Sequence, residues 1–396
     1  MRAAVVPNRN DLEAIWRAGV AACMPGRVVA ANLPPPPQGR TIVLALGKAA
    51  APMAAAVEAC WPGPLSGLAV APHGSGGPLE RIELIEAGHP VPDSGSFLAA
   101  QRLLALASEA GPDDLVVVLL SGGASSLACL PGEGLRLDEK RRLTEALLSS
   151  GARISEINCV RRHLSRFKGG QLALVATPAE LVTLAISDVV GDAPADIGSG
   201  PTVADPSTLD DARAVLERHS IPAPDQGWSE TPTVVPGTYR IVGRAADALE
   251  AAAAEAERLG YSVRLVECEG EAREVGREHV ALALAEAPGT ALISGGELTV
   301  TVGGDGVGGP NQEYALAATL ALDGRSKIAG LAADTDGIDG SSHAAGAFFD
   351  GGGAEGARDA LDDNDSTRWF ALRNSLFVTG PTGTNVNDLR IILTAP

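Results

Sequence analysis

The chain reads as an α/β protein with mainly parallel sheets, divided into two domains. Three observations predict this. Short apolar runs alternate with Ala-, Leu-, Glu- and Arg-rich helical stretches along the 396 residues, the pattern of successive βαβ units. The runs are too many for one sheet of ordinary size. Residues 221–236, IPAPDQGWSETPTVVP, contain four prolines and no apolar period, so they read as a linker. Domains of 1–230 and 237–396 follow.

Taken in order, an N-terminal helix is joined by the rigid ANLPPPPQGR (31–40) to a first strand, TIVLAL (41–46). Further strand-like runs are GLAVAP (67–72), RIELIEA (81–87), DLVVVLLS (114–121) and LVTLAIS (181–187). Past the linker come YRIVG (239–243), YSVRLVE (261–267), TALIS (290–294), ELTVTV (297–302), KIAGLAAD (327–334) and SLFVTG (375–380). Helical stretches such as SFLAAQRLLALASEA (96–110) and ADALEAAAAEAERLG (246–260) lie between them. Aromatics are only 3% of the chain, so the cores are built from Ala, Val, Leu and Ile.

The formal charge is −18, which argues against nucleic acid or an anionic membrane as a partner. The five cysteines are scattered without a C-x-x-C pair, so neither a disulfide framework nor a cysteine zinc site is indicated. No signal pattern opens the chain and no apolar run is long enough to span a bilayer, so a soluble cytoplasmic protein is expected. The oligomeric state stays open, a homodimer included.

Lys48 raises the first chemical question. It falls between a strand and a helix, where the helix dipole repels a cation. An anion would reverse that: free N–H groups, the dipole and an ammonium then converge on a phosphate or carboxylate. A lysine turned into water is the plain alternative. Ser121-Gly122-Gly123 follows the apolar run LVVVLL, at a strand end where open α/β sheets bind ligands. Its N–H groups suit an anion nest, and Ser125 lies just beyond. A hydrolase nucleophile elbow is disfavoured, because Gly123-Ala124-Ser125-Ser126-Leu127 lacks the closing glycine.

EINCVRRHLSRFKGGQLA (156–173) reads as one amphipathic helix, with Ile157, Val160, Leu164 and Phe167 inward. Arg161, Ser165 and Lys168 then share another face, the densest positive patch in an acidic chain. A solvated basic face is the alternative, and His163 reads as structural. Asp188 ends the strand LVTLAIS, with Asp192 and Asp196 in the Gly/Pro/Asp loop behind it. Carboxylates there can hold Mg²⁺ or take a proton from a hydroxyl, against the plain role of turn former. Gly304–Gly309 matches G-x-G-x-x-G, and Asp334 ends the next strand, so an NAD(P)H-linked reductase is the rival reading. The preceding ELTVTV alternates like a half-exposed strand, which counts against it. Asp334, Asp336 and Asp339 fill a glycine-rich loop suited to Mg²⁺ or hydroxyls, and Thr382, Thr384, Asn385 and Asn387 fill another.

The stretches LALGKAA, GHPVPD, SGGASSL, EINCVRRHLSRFKGGQLA, SDVVGD, GSGPTV, SGGELTV, GGPNQEYALA, DTDGIDG and VTGPTGTNVNDL occur in this order. Together they resemble the glycerate 2-kinase family with a C-terminal MOFRL domain, some members of which are labelled hydroxypyruvate reductase. The resemblance implies a larger Rossmann-like N-terminal domain and a smaller MOFRL α/β domain, with the active site in the cleft between them. It implies transfer of the ATP γ-phosphoryl group to the 2-hydroxyl of D-glycerate, with Mg²⁺. NAD(P)H-dependent hydroxypyruvate reduction is the alternative. Lys48 is expected at the transferring phosphoryl group or substrate carboxylate, and Asp188 as the base. Ser121, Gly122, Gly123, Ser125, Arg161, Lys168, Asn311, Glu313, Thr382 and Asn385 are expected to hold substrate and phosphate. Asp192, Asp334 and Asp336 are the expected metal ligands. Many relatives have Arg where Pro310 stands and Asp where His343 stands.

Overall fold

The computed structural model describes residues 8–325 and 327–395. It forms two compact units: Pro25–Val242, and a second that combines the segment through Met24 with Gly243 onward. The boundary near residue 240 follows the proline-rich linker. The first helix does not follow the expected division, because α1 (Arg9–Ala22) packs with the C-terminal residues.

In the Pro25–Val242 unit the order is α2 (Pro25–Val28), β1 (Thr41–Leu46), α3 (Ala50–Cys60), β2 (Leu65–Pro72), β3 (Glu83–Ala87) and α4 (Ser94–Ser108). There follow β4 (Leu115–Leu120), α5 (Ala124–Leu127), α6 (Leu137–Ser149), α7 (Ile154–His163), α8 (Gln171–Val175), β5 (Glu180–Ile186), α9 (Leu209–Arg218) and β6 (Thr238–Gly243). The strands form one sheet in the order β3-β2-β1-β4-β5-β6, parallel from β3 through β5. This is the order of the doubly wound dinucleotide-type fold. Every residue of β1 and β4 is buried, as central parallel strands covered on both faces require. Strand alternation sends Ile42, Leu44, Leu46, Val116, Val118 and Leu120 into one core with Ala99, Ala100, Leu103 and Ala107 of α4. Helix α3 contacts β1, β2 and β4 yet takes no part in that core, so it covers the opposite face.

In the other unit, after α1, come α10 (Ala245–Leu259), β7 (Ser262–Val266), α11 (Ala272–Ala285), β8 (Thr290–Gly296), α12 (Pro310–Leu322), β9 (Ile328–Asp334) and β10 (Gly346–Asp350). It ends with α13 (Ala357–Asp362), α14 (Ser366–Ala371), β11 (Leu376–Phe377) and β12 (Asp388–Thr394). The sheet order is β11-β10-β9-β12-β8-β7. Only β7 and β8 pair in parallel; β8–β12, β12–β9, β9–β10 and β10–β11 are antiparallel. The expectation of a mainly parallel sheet therefore fails here. Two reversals come from β12, which returns between β8 and β9, and two from β10, which runs back between β9 and β11.

Alternation along β12 divides two cores. Leu389, Ile391 and Leu393 join Leu12, Ile15, Trp16 and Val20 of α1, while Ile392 joins residues of α11 and α12. Two expected strands shrink. ELTVTV keeps a single bridge, Thr299 to Glu271, whose carboxylate takes the Thr301 N–H at 3.1 Å and its hydroxyl at 2.8 Å. SLFVTG keeps only Leu376–Phe377.

Candidate active site

Strand order reverses between β1 and β4, and the ligand crevice of an open parallel sheet lies outside the carboxyl ends of such strands. Lys48 follows β1, and Ser121-Gly122-Gly123 follows β4. The two turns are tied together. Ser121 N–H donates to the Leu46 carbonyl at 2.9 Å, and Lys48 N–H donates to the Gly122 carbonyl at 2.8 Å. The Ser121 hydroxyl accepts from Ala49 N–H at 3.0 Å. Ser121 is fully buried: its N–H, expected in the anion nest, is spent on the Leu46 carbonyl, and its hydroxyl clamps the turns. Gly47 has φ +125°, and a Cβ there would lie 2.2 Å from Ser121 Oγ, so only glycine fits. Gly123 has φ +82°, and a Cβ on it would meet the His89 ring at 2.7 Å and Lys48 Cγ at 3.6 Å. The half-buried Lys48 and His89 thus flank the glycine.

A cavity of about 250 Å³ opens beside this turn, walled in part by His89, Gly122, Gly123, Ser125 and Ser126. Asn158 and Thr144, three cations, Lys140, Arg161 and Lys168, and two carboxylates, Asp188 and Asp196, complete its polar lining. Arg161 and Lys168 meet here by a different route from the single helix expected. Helix α7 stops at His163, and the Ser165 hydroxyl accepts the N–H groups of Phe167 and Lys168 at 3.2 Å each. That local turn bends the chain back so that Lys168 joins Arg161 in the cavity lining. His163 is buried with Nδ1 3.0 Å from the Cys159 carbonyl oxygen, a structural position.

Backbone carbonyls hold the two ammonium groups. Lys168 Nζ donates to the Ser125 carbonyl at 2.7 Å and the Ala128 carbonyl at 3.2 Å. Lys140 Nζ donates to the Leu164 carbonyl at 2.7 Å. Carbonyls satisfy the donors without neutralising the charge. Burial pushes Lys168 down to about 7, with the like charges of Lys140 and Arg161 adding to it. Burial likewise brings Lys140 down to about 8 and lowers Arg161. An anion entering the cavity meets positive charge that protein carboxylates have not cancelled.

Asn158 orders the carboxylate side. Its Nδ2 donates to Asp196 Oδ1 at 3.0 Å, and its Oδ1 accepts from Arg161 at 3.4 Å and from the Ser199 hydroxyl at 3.2 Å. The Ser125 and Ser199 hydroxyls are 2.8 Å apart. Lys140, His89 and Asn158 received no role from the sequence, and Asp196 only that of one loop carboxylate among three. Lys140 lies in the run DEKRRL, which reads as an ordinary solvated face. Asp192, the expected metal ligand, has φ +52° and does not line the cavity. It serves as a turn residue, with its N–H on the Val189 carbonyl at 3.0 Å.

The remaining expected residues lie in the C-terminal unit. Asn311 and Glu313 are buried in α12. Asp339 accepts the N–H groups of Asn311 and Gln312 at 3.0 and 2.8 Å, capping that helix behind Pro310. The Asn311 amide donates to Asp339 at 3.2 Å and Asp388 at 2.6 Å, and Asp388 pairs with the buried Arg390. Glu313 accepts from Arg273 and Asn364, both at 2.8 Å. These side chains are committed to a buried network. Asp334 accepts the Asp336 N–H and Asp336 the Ile338 N–H, each at 2.8 Å, as turn-forming aspartates do. Thr382 Oγ1 donates to the Thr335 carbonyl at 2.5 Å, and Asn385 is buried. Among the described residues no group of three or more His, Cys, Asp or Glu is placed to hold a metal ion.

The glycine fingerprint loses its function as a dinucleotide cradle. Gly303 and Gly304 N–H groups donate to Asn364 Oδ1 at 2.8 and 3.0 Å, and Gly306 N–H donates to the Asp363 carbonyl at 3.0 Å. The donors that a pyrophosphate needs are spent on the protein.

Comparison with known proteins agrees with this architecture. Residues 11–227 match a domain of unknown function (DUF4147), and residues 290–388 match the MOFRL family. The chain is 40% identical to D-glycerate 2-kinase of Thermotoga maritima, over 95% of this chain and 96% of that protein. It is 47% identical to an Agrobacterium vitis protein with the provisional name hydroxypyruvate reductase, over 98% of this chain and 95% of that one. A crystal structure of glycerate kinase from Thermotoga maritima superposes with a TM-score of 0.89 at 38% identity, covering 98% of this chain and 100% of that chain. With both domain models matched in order and the fold shared end to end, the chain belongs to the glycerate 2-kinase family with a C-terminal MOFRL domain.

Proposed function

We propose that this protein transfers the γ-phosphoryl group of ATP to the 2-hydroxyl of D-glycerate. The observation that carries the reading is the cavity at the β1/β4 switch point. In a chain of charge −18 it gathers Lys140, Arg161 and Lys168 with only Asp188 and Asp196 opposite. Phosphoryl transfer needs positioning and charge neutralisation more than covalent chemistry, and such a cavity supplies both.

Arg161 and Lys168 bind the glycerate carboxylate, and Lys48 meets the transferring phosphoryl group beside Gly122 and Gly123. Asp188, on the cavity wall, accepts the proton of the 2-hydroxyl. The donor chemistry also suits Mg²⁺, which takes one or two carboxylates together with substrate phosphates. Asp188 is the wall carboxylate that would hold it, and the ion, when bound, neutralises charge on the phosphate oxygens. Asp188→Asn separates the two roles: lost kcat with metal affinity kept marks a base, and lost metal affinity marks a ligand.

The test is ADP release with MgATP and D-glycerate, with NADH and hydroxypyruvate assayed in parallel. ADP release that depends on D-glycerate is expected. NADH oxidation without ADP release would overturn the kinase reading.

A further inference from the structure

We propose that Asn158 and Asp196 together form a specificity device, reading the hydroxyl of glycerate that is not phosphorylated. The inference rests on the kinase reading above and deepens it. Asn158 is 3% exposed and makes three hydrogen bonds, two of them to Arg161 and Asp196 of the cavity wall and one to Ser199 behind it. Its oxygen fixes Arg161, the guanidinium that faces the substrate carboxylate. Its nitrogen fixes Asp196 through Oδ1, which also accepts from Arg162 Nη1 at 3.4 Å. Both bonds fall on Oδ1, so they hold the Asp196 carboxylate in one direction at the cavity it lines. One amide thereby sets the spacing between a carboxylate receptor and a hydroxyl acceptor. Glycerate carries a carboxylate and a second hydroxyl on the same three-carbon frame, whereas lactate has the carboxylate and the 2-hydroxyl alone. A site that hydrogen-bonds a substrate hydroxyl rejects the analogue lacking it strongly, because its own polar atom stays unpaired when the analogue binds.

The test compares D-glycerate with D-lactate in the ADP-release assay, as a ratio of kcat/KM values. The wild-type ratio should exceed about 100. Asn158→Leu keeps the branched shape and removes all three bonds, and should lower the ratio at least tenfold while raising KM for glycerate. Asp196→Ala should collapse the ratio with KM for ATP unchanged. A purely structural role for Asn158 would lower Tm and total activity without moving the ratio. A ratio unchanged within twofold in a folded Asn158→Leu protein overturns the proposal. Absence of ADP release in the wild type overturns the kinase reading instead. Calorimetric binding of D-glycerate and D-lactate then decides the device: a glycerate preference lost in Asn158→Leu supports it, and a preference kept, or no binding of either acid, overturns it.

Discussion

Lys168 concentrates the physics of the cavity in one side chain. The residue is 1% exposed and its ammonium is held by two carbonyls, with its pKa brought from the ordinary 10.5 to about 7. A depressed pKa contributes stability that is present above the unfolded value and lost as pH falls through the folded one. The urea midpoint of the wild type relative to Lys168→Met should therefore rise between pH 7 and 10.5, and a flat difference would remove the buried charge from the account. KM for D-glycerate should rise above pH 7, as Lys168 loses the proton that attracts a carboxylate. Lys48→Ala should fold normally and lose about 100-fold or more in kcat, the scale of removing one donor to developing charge. Near-wild-type turnover would exclude Lys48 from the reaction. The sequence made Lys48, Arg161, Lys168 and Asp188 legible, because cations in an acidic chain and carboxylates at strand ends are unusual. It hid Ser121 as a clamp and Lys140 as a cavity residue, since burial of a serine or a lysine leaves no periodic signal.

At the scale of elements, α12 shows how a motif that looks like ligand chemistry can be a helix start. Asp339 supplies the cap that Gly309 cannot. Asp339→Ala should cost about 1–3 kcal/mol in chemical denaturation, as two helix N–H groups lose their acceptor. Burial, with the neighbouring charge of Asp388, raises Asp339 to about 7. A raised pKa contributes stability that is full below the unfolded value, near 3.8, and lost as pH rises through the folded one. Asp339→Asn should flatten the pH dependence of stability between about 4 and 7, and an unchanged slope would contradict this. The strands of the larger sheet were legible because fully buried parallel strands are continuous apolar runs. β10 and β12 were not: GAFFD is short, and DLRIILT is preceded by a loop rich in Thr, Asn and Gly that masks its start. ELTVTV had the alternation of a strand, but beyond the single Thr299 bridge its Thr301 bonds the Glu271 side chain in place of a neighbouring strand.

At the scale of the molecule, the linker was readable from its prolines, whereas the seat of α1 was not, because an amphipathic helix does not name its partner. Trp16 is 1% exposed and meets Phe377 edge-on at 5.0 Å. A fragment of residues 237–396 should aggregate, since it uncovers the apolar faces of β12 and α10. Co-expression with a peptide of residues 8–24 should restore solubility, and a soluble, cooperatively folded fragment alone would refute this. Trp16→Ala in the full chain should cost about 3–5 kcal/mol. The split unit also has a consequence during synthesis. α1 leaves the ribosome well before Leu389, Ile391 and Leu393, the β12 residues that share its core. At about 5–20 residues per second, its apolar stripe waits for roughly 20–80 s while the intervening unit folds. For that interval the nascent chain carries an uncovered apolar helix, and a chaperone that shields it would raise the yield of the protein.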